Sequence, residues 1–93
     1  MKKITLNFQK DLTKLAGNSF GRKTYEQQVK EVISFDEQIE IEIPIRINRI
    51  SSSFVQGFFD EIIQTIGIDG IKERFDFISS IENIKDFIIS NLE

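Results

Sequence analysis

Three consecutive serines are the side chains of this sequence best placed to take part in chemistry. Ser51, Ser52 and Ser53 follow Arg49 and stand between a strand pattern and a helix pattern. The start of a helix offers free backbone N–H groups and a positive dipole potential, which favour an anion. A phosphoryl group on one of these serines would be stabilised there, and Arg49 could pair with it. The simpler interpretation is that one serine only caps the helix.

Catalysis by these serines is not expected. The 93-residue chain has no His and no Cys, which removes the Ser-His-Asp triad, thiolate nucleophiles and the usual zinc and iron ligands. The segment 17–22 contains two glycines but matches neither the P-loop nor the dinucleotide-binding pattern. The carboxylates of Glu40, Glu42, Asp60 and Glu61 fall on predicted solvent faces. We expect no catalytic residue, no metal site and no cofactor, and a hydrolase that uses carboxylates and a metal is the least favoured alternative.

Alternating isoleucines predict the main strand. Every second residue between positions 39 and 47 is isoleucine, and all five would face one side of a sheet, where β-branched side chains pack well: Ile39, Ile41, Ile43, Ile45 and Ile47. Pro44 has no N–H to donate to a neighbouring strand. The strand therefore lies at an edge there or breaks near that point.

The strongest helix pattern follows the serines. Residues 54–66 carry a wide apolar stripe at helical spacing. Ser53 and Gln56 match a capping box at its start, and Gly67 stands where a glycine closes a helix. Gly57 is unfavourable in a helix interior by about 1 kcal/mol relative to Ala, which suggests a neighbour at close approach.

The remaining elements complete an alternation of strands and helices. We predict a strand over Ile4–Phe8, a loop over 9–22, and a helix over 23–33 capped by Thr24. A turn at Gly70 then leads to a strand over 74–78, and a capping box of Ser79 and Glu82 starts a helix over 81–92. The fold class is therefore α/β, a single domain over 1–93. It would be a small mixed sheet with helices packed mainly on one face.

The distribution of charge favours a protein partner. The net charge is −3, but residues 1–31 carry +4 and residues 32–93 carry −7. A nucleic-acid-binding domain would be clearly basic, so we expect no direct nucleic-acid contact. No apolar run approaches the roughly 20 residues of a membrane span, and the start of the chain does not resemble a signal peptide. We expect a cytoplasmic protein, which could also pair with its own copies through an open sheet edge or face.

The serine turn also resembles a known family. Ser52-Ser53-Phe54 lies between an apolar strand and a helix with Phe58-Phe59, and Gly21-Arg22 opens the segment before Tyr25. Over residues 20–92 this pattern resembles the STAS-like domain family of unknown function. Its members are small bacterial and phage proteins named for their similarity to anti-sigma factor antagonists.

This resemblance implies a regulatory interaction module without enzymatic activity. In STAS antagonists a serine of an Asp-Ser-Ser-Gly type turn is phosphorylated by a partner, a histidine-kinase-like ATPase, and the modification releases that partner. By position Ser53 is the first candidate acceptor and Ser52 the second, while Ser51 stands in place of the Asp and Phe54 in place of the Gly. The residues expected to bind the partner surround this turn and follow the helix: Arg49, Ser51, Phe54, Gln56, Gly57, Asp60 and Glu61.

An alternative function remains open from the sequence. A small acidic protein without catalytic residues is also compatible with a phage-encoded inhibitor that binds and blocks a host or defence protein complex. Such an inhibitor would place the acidic carboxyl-terminal two-thirds of the chain on a basic groove of a nucleic-acid enzyme.

Overall fold

The three helices alternate with the three longer strands along the chain, as the sequence predicted, and two additional strands of two residues each stand before the first and second helices. The computed structural model describes residues 1–93. In chain order the elements are β1 (Lys2–Thr5), β2 (Lys14–Leu15), α1 (Asn18–Gln28), β3 (Ile39–Glu42), β4 (Arg49–Ile50), α2 (Ser52–Arg74), β5 (Phe75–Ile78) and α3 (Ile84–Ser90). The α/β fold class is confirmed.

Two small sheets organise these strands. The larger has the order β1-β3-β5, with Ile4 beside Ile41 and Ile41 beside Phe77, and the smaller joins β2 to β4. Every pairing is parallel, where the sequence led us to expect a mixed sheet. A parallel neighbour requires a crossover connection, and α1 and α2 lie in the crossovers that join β1, β3 and β5.

Only one face of the larger sheet is covered. Ile4, Ile39, Ile41 and Phe75 are buried, whereas the residues that alternate with them are exposed or half-buried. This alternation is typical of a sheet with helices on one side. The open face carries polar side chains from all three strands: Lys3, Thr5, Glu40, Glu42 and Asp76.

The isoleucine run breaks where its proline predicted a break. β3 ends at Glu42, and the N–H of Ile47 donates to the carbonyl of Pro44 in a turn, at 2.9 Å. The expectation that all five isoleucines share one buried face is wrong for Ile45, which is 82% exposed, while the other four are buried. The turn exposes Ile45, and the chain then resumes as β4 in the second sheet.

Helix α1 begins five residues before the predicted position. Gly17, with φ +100°, precedes its first residue, and the helix ends at Gln28. Thr24 is therefore not a cap. It is buried within the helix, and its hydroxyl donates to the carbonyl of Phe20 at 2.8 Å. Gly21, predicted as a loop residue, lies inside α1, where the absence of a side chain permits a close backbone contact.

Helix α2 is longer than its apolar stripe. Gly67 has φ +71° and ψ 175°, a non-helical conformation, yet the helix resumes beyond it and runs to Arg74. Gly67 therefore ends the first helical segment of α2, where the sequence placed a closing glycine, and a second segment follows across the kink, so Gly70 lies in a helix rather than in a turn. Strand β5 follows at once from Phe75.

Helix α3 begins three residues after the predicted position. Asn83, with φ 56°, stands before its first residue and makes no capping hydrogen bond from its side chain. The hydroxyl of Ser79 instead accepts the N–H of Ile81 at 3.0 Å. The capping box of Ser79 and Glu82 is thus not formed at this helix.

The core lies between the larger sheet and the helices. Twenty buried apolar residues form one cluster, and phenylalanine rings cross it in edge-to-face and stacked contacts. Most of the Ile and Phe residues therefore serve as scaffold. No helix combines the length and apolarity that a membrane crossing requires.

Candidate functional site

The two longest helices begin side by side. Strands β2 and β4 are parallel neighbours, with Leu15 beside Ile50. Because α1 follows β2 and α2 follows β4, both helices start at the same end of this small sheet. The carboxyl ends of parallel strands are where α/β proteins place their binding sites.

A pair of glycines holds these two helices in contact. A Cβ atom on Gly57 would lie 2.0 Å from the carbonyl oxygen of Asn18, and one on Gly21 would lie 2.1 Å from that of Phe54. Only glycine permits backbones to approach so closely. The close neighbour predicted at Gly57 is confirmed, and the crossing fixes the first turns of α2 against the start of α1.

Ser51, rather than Ser53, caps α2. The Ser51 Oγ accepts the N–H of Phe54 at 3.1 Å, and the N–H of Ser51 donates to the carbonyl of Leu15 at 2.8 Å. Ser51 lies just before the helix in extended conformation, whereas Ser53 is already within the first turn. The predicted capping box of Ser53 and Gln56 is therefore wrong by two positions.

The three serines differ in what their hydroxyls contact. The Oγ atoms of Ser51 and Ser53 lie 3.0 Å apart, and the N–H of Gly17 points at both, at 3.4 and 3.3 Å. Both side chains are half-buried in this network. Ser52 is exposed, and its hydroxyl has no hydrogen-bond partner within the chain.

Two exposed cations lie on the two strands of the smaller sheet, which lead into α1 and α2. Lys14 and Arg49 are register partners in the smaller sheet, so their side chains are neighbours. Neither takes part in any of the ion pairs of the chain, which involve other lysines and arginines. The turn therefore combines an exposed hydroxyl, the start of a long helix and two uncompensated positive charges.

Asp60 and Glu61 lie farther along α2 and face the cations of α1. Arg22 Nη1 lies 2.8 Å from Asp60 Oδ2, and Lys30 Nζ lies 3.4 Å from Glu61 Oε1. The hydrogen bond that Arg22 donates to Asp60 raises the pKa of Arg22, so this guanidinium stays charged. These carboxylates belong to a half-exposed seam of ion pairs between the helices. No group of three or more acidic side chains is close enough to share a metal ion.

Two residues expected to contact a partner lie inside the molecule. Phe54 is 4% exposed and packs edge-to-face on Phe20, with ring centroids 5.5 Å apart. Gly57 is covered by α1. Gln56 is exposed, with its amide nitrogen 3.5 Å from the carbonyl oxygen of Asn91. Of the expected partner-binding set, Phe54 and Gly57 support the turn from behind, while Arg49 and Gln56 stand on its surface.

Sequence reasoning missed the part of the site that comes from residues 14–18. Lys14, Gly17 and Asn18 fall in the segment predicted as a loop. A strand of two residues is too short to show an alternation of apolar and polar residues. The apolar stripe of α1 also does not begin at the first turn of the helix. The glycine-rich segment 17–22 was the available signal, since glycines permit close helix contact as well as turns.

Comparison with known proteins gives no relative from which a function could be transferred. No protein-family model, no curated protein and no solved structure matches the chain. The functional assignment therefore rests on the residues of this chain.

Proposed function

We propose that this chain is a STAS-like, cytoplasmic protein-interaction module without enzymatic activity. Phosphorylation at the serine turn would switch off its binding to a partner protein. The observation that carries the proposal is the exposed, unbonded hydroxyl of Ser52 at the start of α2. The resemblance over residues 20–92 supplies the expected partner, a histidine-kinase-like ATPase.

Accessibility makes Ser52 the first acceptor and Ser53 the second in this proposal. A kinase must reach the hydroxyl from solvent, and Ser52 is exposed. Phosphorylation of Ser53 would break the contacts of its hydroxyl with Ser51 and with the N–H of Gly17. Modification at Ser52 changes the charge of the surface while those contacts remain in place.

The charges near Ser52 determine whether phosphorylation strengthens or weakens binding of the partner. A phosphoserine carries about −1.5 to −2 charges at neutral pH. Added beside Lys14 and Arg49, it would cancel most or all of the positive charge of this surface in an acidic protein. A partner with a complementary acidic surface would bind the unmodified turn and leave the modified one.

The turn is suited to this role because it is held rigidly. The crossing at Gly21 and Gly57 and the cap from Ser51 fix the start of α2 before any partner binds. A preformed surface loses less conformational entropy on binding than a flexible one. Phe54 and Gly57 contribute in this indirect way, and Asp60 and Glu61 lie about two helical turns farther along α2.

Capture from the native cell tests the proposal. The full chain, Ser52→Ala and Ser52→Asp would be immobilised in parallel, with Gln64→Glu as the control that adds one negative charge elsewhere on the exposed face of α2. We expect one partner to be retained by the wild type, Ser52→Ala and Gln64→Glu, and to be lost with Ser52→Asp. Phosphopeptide mapping of the native protein should place phosphate on Ser52. Equal retention by Ser52→Asp would refute the switch.

The open face of the larger sheet favours a second function, that of an inhibitor. Glu40, Glu42 and Asp76 lie on this face, and Lys3 and Lys85 neutralise only part of their charge. Such a face could occupy a basic groove of a nucleic-acid enzyme. The combined change Glu40→Gln and Glu42→Gln would then abolish capture of that enzyme, whereas Ser52→Asp would leave it unchanged.

A further inference from the structure

A groove lies between β4 and α3. Its volume is about 160 Å³, and it is lined by Asn48, Arg49, Ile50, Ile81, Ile84 and Phe87. Ile81 and Phe87 are only half-buried. The groove thus presents an apolar floor with one cationic wall to solvent.

The size of the groove indicates a side chain rather than a metabolite. Sites for small molecules usually enclose about 300–1,000 Å³, and this groove is smaller. A single bulky anchor that fills a small apolar pocket is the usual centre of a protein interface. The two larger grooves of the chain, of about 340 and 360 Å³, are lined mainly by polar side chains and offer no such floor.

The charges around the groove favour an acidic occupant. Arg49 forms part of the wall, Lys14 is its neighbour in register, and neither is neutralised by a carboxylate. Glu82 and Asp86 are the carboxylates nearest in sequence to the lining residues. Asp86 lines the separate groove on the other side of α3, and Glu82 lies in the loop before that helix. The rim at β4 is therefore positive although the chain carries −3.

We propose that this groove docks an acidic segment of the partner protein. A bulky apolar side chain of that segment would occupy the floor formed by Ile81, Ile84 and Phe87, and an adjacent carboxylate would pair with Arg49. The inference rests on the proposed function, because Arg49 stands three residues before Ser52 and serves both places. A phosphate on Ser52 would compete for Arg49 and so weaken the docked segment.

Selection from a library of random linear peptides tests the docking site directly. The immobilised full chain should enrich peptides that place Asp or Glu beside a bulky apolar residue. Fluorescence polarisation with the most enriched peptide should then show affinity about tenfold weaker for Arg49→Glu, which corresponds to about 1.4 kcal/mol. Lys23→Glu makes the same charge change at an exposed, unpaired lysine of α1 and should leave the affinity unchanged.

Three results would overturn the inference: no enrichment, enrichment without acidic residues, or equal binding by Arg49→Glu and Lys23→Glu. Ile81→Ser should also weaken binding, and thermal melting would show whether that variant is folded. Arg49 is exposed, so we expect Arg49→Glu to fold. This variant therefore tests the inference even if Ile81→Ser does not fold. Loss of the cellular partner with Ser52→Asp, together with unchanged peptide binding by Arg49→Glu, would reject the groove and retain the switch. Peptide binding that depends on Arg49, together with unchanged capture of the cellular partner by Ser52→Asp, would retain the groove and reject the switch.

Discussion

The two ends of α2 are shaped by glycines for opposite reasons. At Gly57 the backbone is helical but crowded, because the carbonyl of Asn18 occupies the space of a side chain. At Gly67 no atom lies within 4 Å of an added Cβ, but φ is +71° and ψ is 175°. The first glycine is required by a neighbouring helix and the second by its own backbone conformation.

The two ends of α2 therefore have different structural roles. The crowded end is locked against α1 and carries the serine turn, so it supplies a rigid surface. The kinked end redirects the chain, so that Arg74 leads straight into Phe75 of β5 without a loop. Substitutions that act on one end should leave the local geometry of the other unchanged.

The largest effect is expected at the crowded end. Gly57→Ala would force α1 and α2 apart, because the new Cβ would meet backbone atoms that cannot rotate away. Overpacking of this kind costs about 1–3 kcal/mol and sometimes more, and we expect the upper end. Urea unfolding followed by circular dichroism measures the loss, with exposed Gln56→Ala as the control. A cost no greater than that of the control would contradict the crossing.

A smaller loss is expected at the kink. Gly67→Ala has space for its methyl group but must adopt a backbone conformation that is almost restricted to glycine, at a cost of about 1–3 kcal/mol. In an ordinary helix the same change would be stabilising by up to about 1 kcal/mol. Thermal unfolding of the variant therefore shows whether Gly67→Ala lowers or raises the stability of the chain. A raised melting temperature would show that α2 is unkinked in solution.

The cap of α2 should contribute less than either glycine. Ser51→Ala removes the acceptor for the N–H of Phe54, and loss of such a cap costs about 1 kcal/mol. Ser53→Ala removes no cap and should cost less. Denaturant midpoints of the two variants, compared side by side, test the assignment. A larger cost for Ser53→Ala would return the cap to Ser53.

The smallest change in stability at neutral pH is expected for substitution of Tyr25 by Phe. Tyr25 packs on Phe58 behind the crowded end of α2. Burial, and then the charges of Glu61 and Glu26, raise its pKa above 10.0. The unfolded chain therefore loses this proton first, so the stabilisation is complete below about pH 10 and is lost as pH rises through the folded pKa. Tyr25 is the only tyrosine and there is no tryptophan, so tyrosinate absorbance follows it directly.

Tyr25→Phe supplies the matched comparison for that titration. Its stability should fall less than that of the wild type between neutral and strongly alkaline pH, because the buried phenol is gone. Identical alkaline profiles, or a wild-type tyrosinate transition at or below pH 10, would contradict the burial argument.

Periodic patterns predicted the parts of the fold that they span. The isoleucine alternation located β3, and the break came at Pro44 as expected. Short elements and helix ends were less predictable. β2 has two residues, and the choice between Ser51 and Ser53 as cap depends on Leu15, a partner far away in sequence. Gly21 illustrates the limit, since only the position of Phe54 distinguishes a close helix contact from a turn.

The candidate site was predictable in its location and not in its composition. The three serines were found from their position between a strand and a helix. Their different exposure follows from the hydrogen bond of Gly17 to Ser51 and Ser53, which no local pattern encodes. Lys14 joins Arg49 only because two strands distant in sequence pair in register.

The affinity of the captured partner for a chain with phosphoserine at position 52 shows whether Ser52 acts as a switch. The phosphorylated chain can be prepared by ligation and compared with the unmodified chain and with Gln64→Glu by titration calorimetry. We expect phosphate at Ser52 to weaken binding by about tenfold or more, equivalent to at least about 1.4 kcal/mol, and Gln64→Glu to bind as the unmodified chain does. Equal affinity of the phosphorylated and unmodified chains would contradict this expectation.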